Sequence, residues 1–465
     1  MAMFPSFKRA DIITALQEQV KTGEVHTEDS VTEEKSTSSR LSDPKTNEEA
    51  IALVEAKTTA DVQAVLKVAR EFHLTVVPQS GGTSLVAGSE GLHNSIILST
   101  DKMDKIIEIN KEDAIAVVEP GVVNGDLDQL ARKEGLFYAP DPGSKPISRI
   151  GGNVATNAGG MSGVKYGATR DNVLGLKVVL ADGREVSVGG RTYKQSYGYD
   201  LTHLFIGSEG TLGIVTEITV KLMPIPIGES LVGVAFFEEM SDLAKAVHGI
   251  RMSGVYPTRL EAEDKKTIAA TDKYEGTNFG GANGGAMLLF EIDMVTEQTE
   301  KIVNEVLDKH HAFNVSIETD PDKQNDLRKL RNDMYAAVGQ GKSLLTEDMV
   351  VPLSKLGEMI DYVGQLGEEL NLDIYVAGHA GDGNVHPIIG WPAGEEMPEA
   401  ATEAVTRMFE KTIELGGMIS GEHGVGMSKS GWNHAQLGSD TDLLQHQIKS
   451  LLDPMNLLNP KRKID

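Results

Sequence analysis

Residues 150–160 read IGGNVATNAGG, four glycines and two asparagines in one short stretch. Glycine lets main-chain N–H groups come close to a ligand, and nests of such groups hold anions. Three more segments of this make stand nearby: 78-PQSGGTS-84, 163-GVKYGATRDN-172 and 207-GSEGTLGIV-215. A strand, a tight glycine loop and then Ser or Thr suit a diphosphate cradle. Any one loop reads equally well as a turn in an irregular β-rich domain. Four of them, interleaved with Asn and Thr, favour a cofactor cleft.

The surroundings of these loops are mixed α and β. Val62, Val65, Leu66, Ala69 and Phe72 follow helical spacing behind a Thr58/Asp61 capping box. Strands are expected at 74-LTVVP-78, 95-SIILS-99 and 114-AIAVVEPG-121. The runs 175-GLKVVL-180 and 184-REVSV-188 flank Ala181, Asp182 and Gly183 as a hairpin. Prolines in 221-KLMPIPIG-228 mark a boundary. The helix 402-TEAVTRMFEKTIELGG-417 puts Val405, Met408, Phe409, Thr412 and Ile413 on one face, with Gly416 at its C′ position. The expected division is an N-terminal helix and acidic arm over 1–44, a cofactor domain over 45–224, a substrate or cap domain over 225–417, and a C-terminal segment over 418–465.

With 465 residues the chain has length for two or three domains. A net charge of −25 makes nucleic acid and anionic lipid poor partners. The absence of cysteine excludes disulfides, thiolate ligands and iron–sulfur clusters within this chain. There is no apolar run of spanning length and no signal-like opening, so a cytoplasmic protein is expected.

A second polar stretch, 378-GHAGDGNVHP-387, resembles several motifs in part. As a dinucleotide loop it ends in histidine instead of glycine. As a calcium loop from Asp382 it has Pro387 at the sixth position and Ala393 at the twelfth. The run 341-GKS-343 fails as a phosphate loop because Ala336 stands where glycine is required. His379 and His386 therefore remain as turn residues or as metal ligands. Downstream, 420-SGEHGVG-426 offers Glu422 and His423. Two imidazoles and a carboxylate would suit a borderline divalent ion with open positions. His310 and His311 read as solvated.

The four loops, with the HxxDGNxH and GEHG motifs at 379–386 and 421–424, resemble the D-2-hydroxyacid dehydrogenase branch of the vanillyl-alcohol oxidase / p-cresol methylhydroxylase flavoprotein superfamily. The resemblance runs from about residue 45 onward. It implies an α+β fold: a two-subdomain FAD-binding domain, an α+β cap domain, and C-terminal helices returning to the FAD domain. Pro78, Ser80, Gly81, Gly82, Thr83 and Ser84 would wrap the pyrophosphate. Pro142, Ser144, Gly151, Gly152, Asn153, Ala155, Asn157 and Gly160 would line the flavin and ribityl chain. Gly163, Tyr166, Gly167, Ile214 and Asn459 match later contacts, and Asn384 would sit beside the flavin.

Two departures stand out. Gln79 and Ser80 replace the arginine and extra glycine usual in the first loop. Thr83 stands where many relatives carry a flavin-linked histidine, which implies noncovalent FAD.

The resemblance further implies a divalent metal (Zn, Mn or Fe) on His379, His386 and Glu422. His423 would be the base and Arg331 the substrate-carboxylate partner, with Asp382 either orienting a ligand or capping the turn. The implied activity is hydride transfer from a small D-2-hydroxyacid, D-lactate or glycolate, to FAD. Thr346 stands where dicarboxylate enzymes of the branch carry lysine, so D-2-hydroxyglutarate is the alternative substrate. A non-catalytic electron-relay subunit and a flavin-free metallohydrolase are the other readings. Electrons would pass to an electron-transfer flavoprotein, an iron–sulfur subunit or a quinone, the last placing the protein peripherally at a membrane. A homodimer is compatible with all of this.

Overall fold

The computed structural model describes residues 7–29, 31–32, 50–281 and 285–464. They divide into two compact units, each discontinuous in sequence. The first is built from the chain up to Gly159, Ala168–Ile225 and Glu422 onward; the second from Gly160–Gly167 and Pro226–Gly421.

In the first unit the strands are β1 (Glu24–His26), β2 (Ala52–Glu55), β3 (Thr75–Gln79), β4 (Ser95–Ser99), β5 (Ile106–Asn110), β6 (Ile115–Val118), β7 (Leu136–Phe137), β8 (Val173–Val179), β9 (Glu185–Gly189), β10 (Ile214–Lys221) and β11 (Met223–Pro224). Four of them form a sheet in the order β1-β2-β4-β3, parallel except at the β1 edge. The helix Thr59–Phe72 starts at the Thr58/Asp61 capping box and lays Val62, Val65, Leu66 and Ala69 on that sheet. A second, antiparallel sheet has the order β5-β6-β10-β8-β9. Its β8–β9 hairpin turns through Gly183 at φ +87°.

Three expectations differ. Residues 24–26, assigned to the acidic arm, form the edge strand β1 on β2. Three residues are too few for alternation to reveal. Of the expected helix-and-arm segment 1–44, residues 1–6, 30 and 33–44 lie outside those described. Gly160–Gly167, placed in the cofactor domain, cluster with the second unit, and the C-terminal return starts at Glu422 rather than 418.

The second unit is one antiparallel sheet of eight strands flanked by helices. Its strands are β12 (Leu231–Phe237), β13 (Arg259–Glu263), β14 (Ala286–Ile292), β15 (Phe313–Glu318), β16 (Lys342–Thr346), β17 (Met349–Val350), β18 (Asp373–His379) and β19 (Asn384–Pro392). They run in the order β15-β12-β14-β13-β18-β19-β16, with β17 on β19. The helix Glu399–Glu414 buries Met408, Phe409 and Thr412, and Gly416 closes it at φ +76°. Among the described residues no helix is long and apolar enough to cross a membrane.

Candidate active site

The first unit holds a cavity of about 670 Å³ lined by three of the four glycine loops, 78–84, 150–160 and 207–215, while 163–172 contributes nothing to its lining. Of the residues expected to bind cofactor, Pro78, Ser80, Gly81, Gly82, Thr83, Ser84, Pro142, Ser144, Gly151, Gly152, Asn153, Ala155 and Ile214 line it. The Ser80 hydroxyl is buried without a hydrogen-bond partner in the protein, and it stands opposite Gly152. An orphaned donor in a glycine-walled cleft fits a bound diphosphate. Arg149 is the single Arg or Lys among the lining residues, and its stem packs on Gly81. Its charge is already engaged, with Nε 3.4 Å from the Asp101 carboxylate and Nη1 donating to the Ile147 carbonyl at 2.9 Å, so main-chain and hydroxyl donors dominate the cleft.

Two expected contacts of this unit are not among the residues that line the cavity, although the Asn459 Oδ1 is buried without a hydrogen-bond partner. Asn157 ends the helix Ile150–Thr156 in the left-handed region, and its Oδ1 accepts from the Arg170 N–H at 2.9 Å. Asn459 is buried, and its Nδ2 donates to the carbonyls of Gly88 (3.0 Å) and Glu209 (2.7 Å). Both brace the walls, a task that a short amide in a turn does equally well.

Glu422 and His423 line the same cavity. The Glu422 carboxylate lies so close over Gly159 that a Cβ there would meet Oε2 at 2.3 Å. The following turn depends on Gly426, at φ +52°, where a Cβ would meet the Val86 carbonyl at 1.7 Å. This explains the small residues around Glu422 and His423 in 420-SGEHGVG-426.

In the second unit β18 and β19 form a hairpin that brings His379 and His386 together, ring centroids 5.2 Å apart and nearly perpendicular. Each Nδ1 has an acceptor: the Glu261 carboxylate at 2.8 and 3.0 Å for His379, and the Glu347 carbonyl at 3.3 Å for His386. In the neutral tautomer that donates Nδ1–H to these acceptors, each ring keeps on Nε2 the lone pair that a metal needs. The donor chemistry therefore fits a borderline divalent ion.

Asp382 stands exposed at the hairpin tip, and the carboxylate at His379 Nδ1 is Glu261. Sequence reading missed it because Glu261 lies on β13, 118 residues away, directly across the ladder from His379. The available signal was 259-RLEAE-263, where two glutamates alternate on what becomes a fully buried strand face. Arg331 also reaches Glu261, with Nε at 3.1 Å from Oε2. Burial opposes ionisation of Glu261, yet His379 and Arg331 hold its carboxyl below the usual range.

Glu263 behaves oppositely. Both its oxygens are buried without hydrogen bonds, and burial pushes the carboxyl up to about 8. Arg331 comes no nearer to Glu263 than 3.8 Å and offsets only part of that burial. An unfolded chain releases this proton near 4.5, so between 4.5 and about 8 the folded state binds more protons. The contribution of Glu263 to stability therefore falls as pH rises through that window, by up to about 1.4 kcal/mol per unit. Glu263→Gln should remove the loss. Thermal unfolding of the two proteins should diverge in favour of the variant as pH rises towards 8; parallel curves would refute the assignment.

Of the remaining expected residues, Tyr166 donates to Asp293 at 3.0 Å, beside Gly163 and Gly167 in its short helix. Gly160 precedes that helix in the same unit. Asn384 donates from Nδ2 to Asp348 (2.7 Å) and the Met349 carbonyl (2.9 Å). Buried Asp348 also accepts from the Ser420 hydroxyl and the Gly421 N–H, which fixes the residues just before Glu422. Tyr335 reaches the Thr346 hydroxyl at 3.2 Å.

Residues 50–189 match the family model "FAD binding domain", and 229–462 match "FAD linked oxidases, C-terminal domain". The chain is 36% identical to glycolate oxidase subunit GlcD of Bacillus subtilis, with 88% of each chain covered. It is 37% identical to a D-lactate dehydrogenase of Anaerostipes hadrus, again over 88% of each. Among solved structures, p-cresol methylhydroxylase superposes with a TM-score of 0.79 at 20% identity, over 97% of this chain and 96% of that one. The glycine-walled cavity thus lies in a recognised FAD-binding domain, and the chain, which has the fold of p-cresol methylhydroxylase, belongs to the FAD-linked oxidases.

Proposed function

We propose that the protein oxidises a small D-2-hydroxyacid, D-lactate foremost and glycolate next, to the 2-oxoacid. The observation that carries this reading is that Glu422 and His423 line the cavity of the glycine loops. In the proposed site His379, His386 and Glu422 are the ligands of a divalent ion. When bound, FAD supplies the acceptor for the C2 hydride and the ion acidifies the substrate hydroxyl. His423 takes the hydroxyl proton. Arg331 commits Nε to Glu261 and presents its two terminal nitrogens to the substrate carboxylate. The relatives' designation as glycolate oxidase subunits favours an electron-accepting partner protein. Thr346, paired with Tyr335, offers no cation for a second carboxylate, which favours the small substrate.

The test is anaerobic mixing of flavin-loaded protein with D-lactate, glycolate or D-2-hydroxyglutarate while following loss of flavin absorbance. D-lactate or glycolate should bleach it fastest. A preference for D-2-hydroxyglutarate would overturn the substrate size, and no bleaching with any of the three would overturn the activity.

A further inference from the structure

Glu209 is a carboxylate that the proposed chemistry does not use. It is 5% exposed, lines the FAD cavity, and holds the left-handed backbone at φ +55°, a conformation that costs a non-glycine residue free energy. Its contacts explain why that cost is borne. Oε1 accepts from the Val425 N–H at 2.7 Å and Oε2 from the Gly426 N–H at 2.8 Å. Its own N–H donates to the Ala155 carbonyl at 2.8 Å, and its carbonyl accepts from Asn459 at 2.7 Å. The Lys463 ammonium stands 3.6 Å from Oε1. One side chain and its peptide groups therefore fasten three cavity elements: the helix Ile150–Thr156, the C-terminal residues 459–463, and the turn two residues beyond His423.

Charge-assisted bonds to consecutive main-chain N–H groups are among the strongest neutral-to-ion contacts available. They also fix direction, since a fork of two oxygens on two successive amides leaves the peptide plane little freedom. Gly424 makes the approach possible: at φ +90° it brings the backbone within 3.0 Å of Oε1, measured from where a Cβ would stand.

We propose that Glu209 is a positioning residue: it sets the angle at which the 422–426 turn presents His423 to the flavin cavity. It acts through the Val425 and Gly426 amides, which its carboxylate holds. The proposal rests on the proton-accepting role given above to His423, and the experiment separates the two.

Glu209→Ala and the near-isosteric Glu209→Gln are compared with wild type as FAD-loaded proteins, with Glu209→Asp as the carboxylate-retaining variant. Without substrate, hydrogen exchange at the Val425 and Gly426 amides should quicken about tenfold or more in the Ala and Gln variants, while β3 and β4 amides stay unchanged. With substrate, flavin reduction at saturation should slow about 100-fold, with KM and the FAD dissociation constant within about threefold. The Asp variant should recover part of both. Unchanged exchange at 425 and 426 overturns the proposal whatever the activity. Faster exchange with undiminished flavin reduction overturns it too, as does a loss expressed wholly as weaker FAD binding. If wild-type flavin is reduced by no 2-hydroxyacid, the functional reading fails, and the exchange result alone then decides whether Glu209 holds the turn.

Discussion

His423→Ala should slow flavin reduction by D-lactate about 1,000-fold and leave FAD bound. A positioned general base contributes roughly 10²–10⁴ to a proton transfer, and no second imidazole lines the cavity in the first unit. Its side chain is about one-fifth exposed and stands at 3.9 Å from the Glu422 carboxylate, so truncation opens a small polar space without removing a core group. Stability should change little. Added imidazole should restore part of the rate. Stopped-flow reduction of the purified variant, with flavin content measured from its absorbance, checks all three. A loss below tenfold would mean that another group takes the proton.

Removal of Glu261 should be the most damaging change in the second unit. Its carboxylate is fully buried and serves two partners at once, His379 and Arg331. Glu261→Ala strands a mostly buried guanidinium and unlocks an imidazole, and taking one partner from a buried pair costs about 3–5 kcal/mol. The same change frees the His379 ring to rotate or change tautomer. Loss of such an outer partner lowers metal affinity about 10–100-fold. The variant should therefore unfold at lower temperature and be purified with less divalent metal by elemental analysis. Full metal content and unaltered unfolding would show that Glu261 merely fills space.

Much of this molecule was legible in its sequence where signals are local. The Thr58/Asp61 box, the β8–β9 hairpin and the closure of the helix Glu399–Glu414 by Gly416 each depend on residues a few positions apart. The glycine loops were legible for the same reason, since a nest of amides is written in consecutive residues. Strand β1 was not, because its pairing with β2 is a property of the ladder and leaves no mark in three residues. Glu261, Glu263 and Asp348 escaped notice for a deeper reason. An isolated acidic residue in a sequence reads as solvated, and only the register β13–β18 turns Glu261 into the neighbour of His379. Glu209 lay within a loop valued for its glycines, and its partners come 216 and 217 residues later.

The return of the C-terminal segment has a consequence for the order in which the protein is made. Leu458 bridges Val76 in parallel, Asn459 reaches Gly88 across 371 residues, and Arg462, almost fully buried, donates to Ala87 and Glu90 across 375 and 372. During synthesis the first-loop residues emerge early, yet the groups that hold their carbonyls arrive only after 226–421 have been translated. Such distant closures are slow and come late in folding. The carbonyls of Ala87, Gly88 and Glu90, just beyond the first loop, therefore gain these partners only once residues 459–462 have been made.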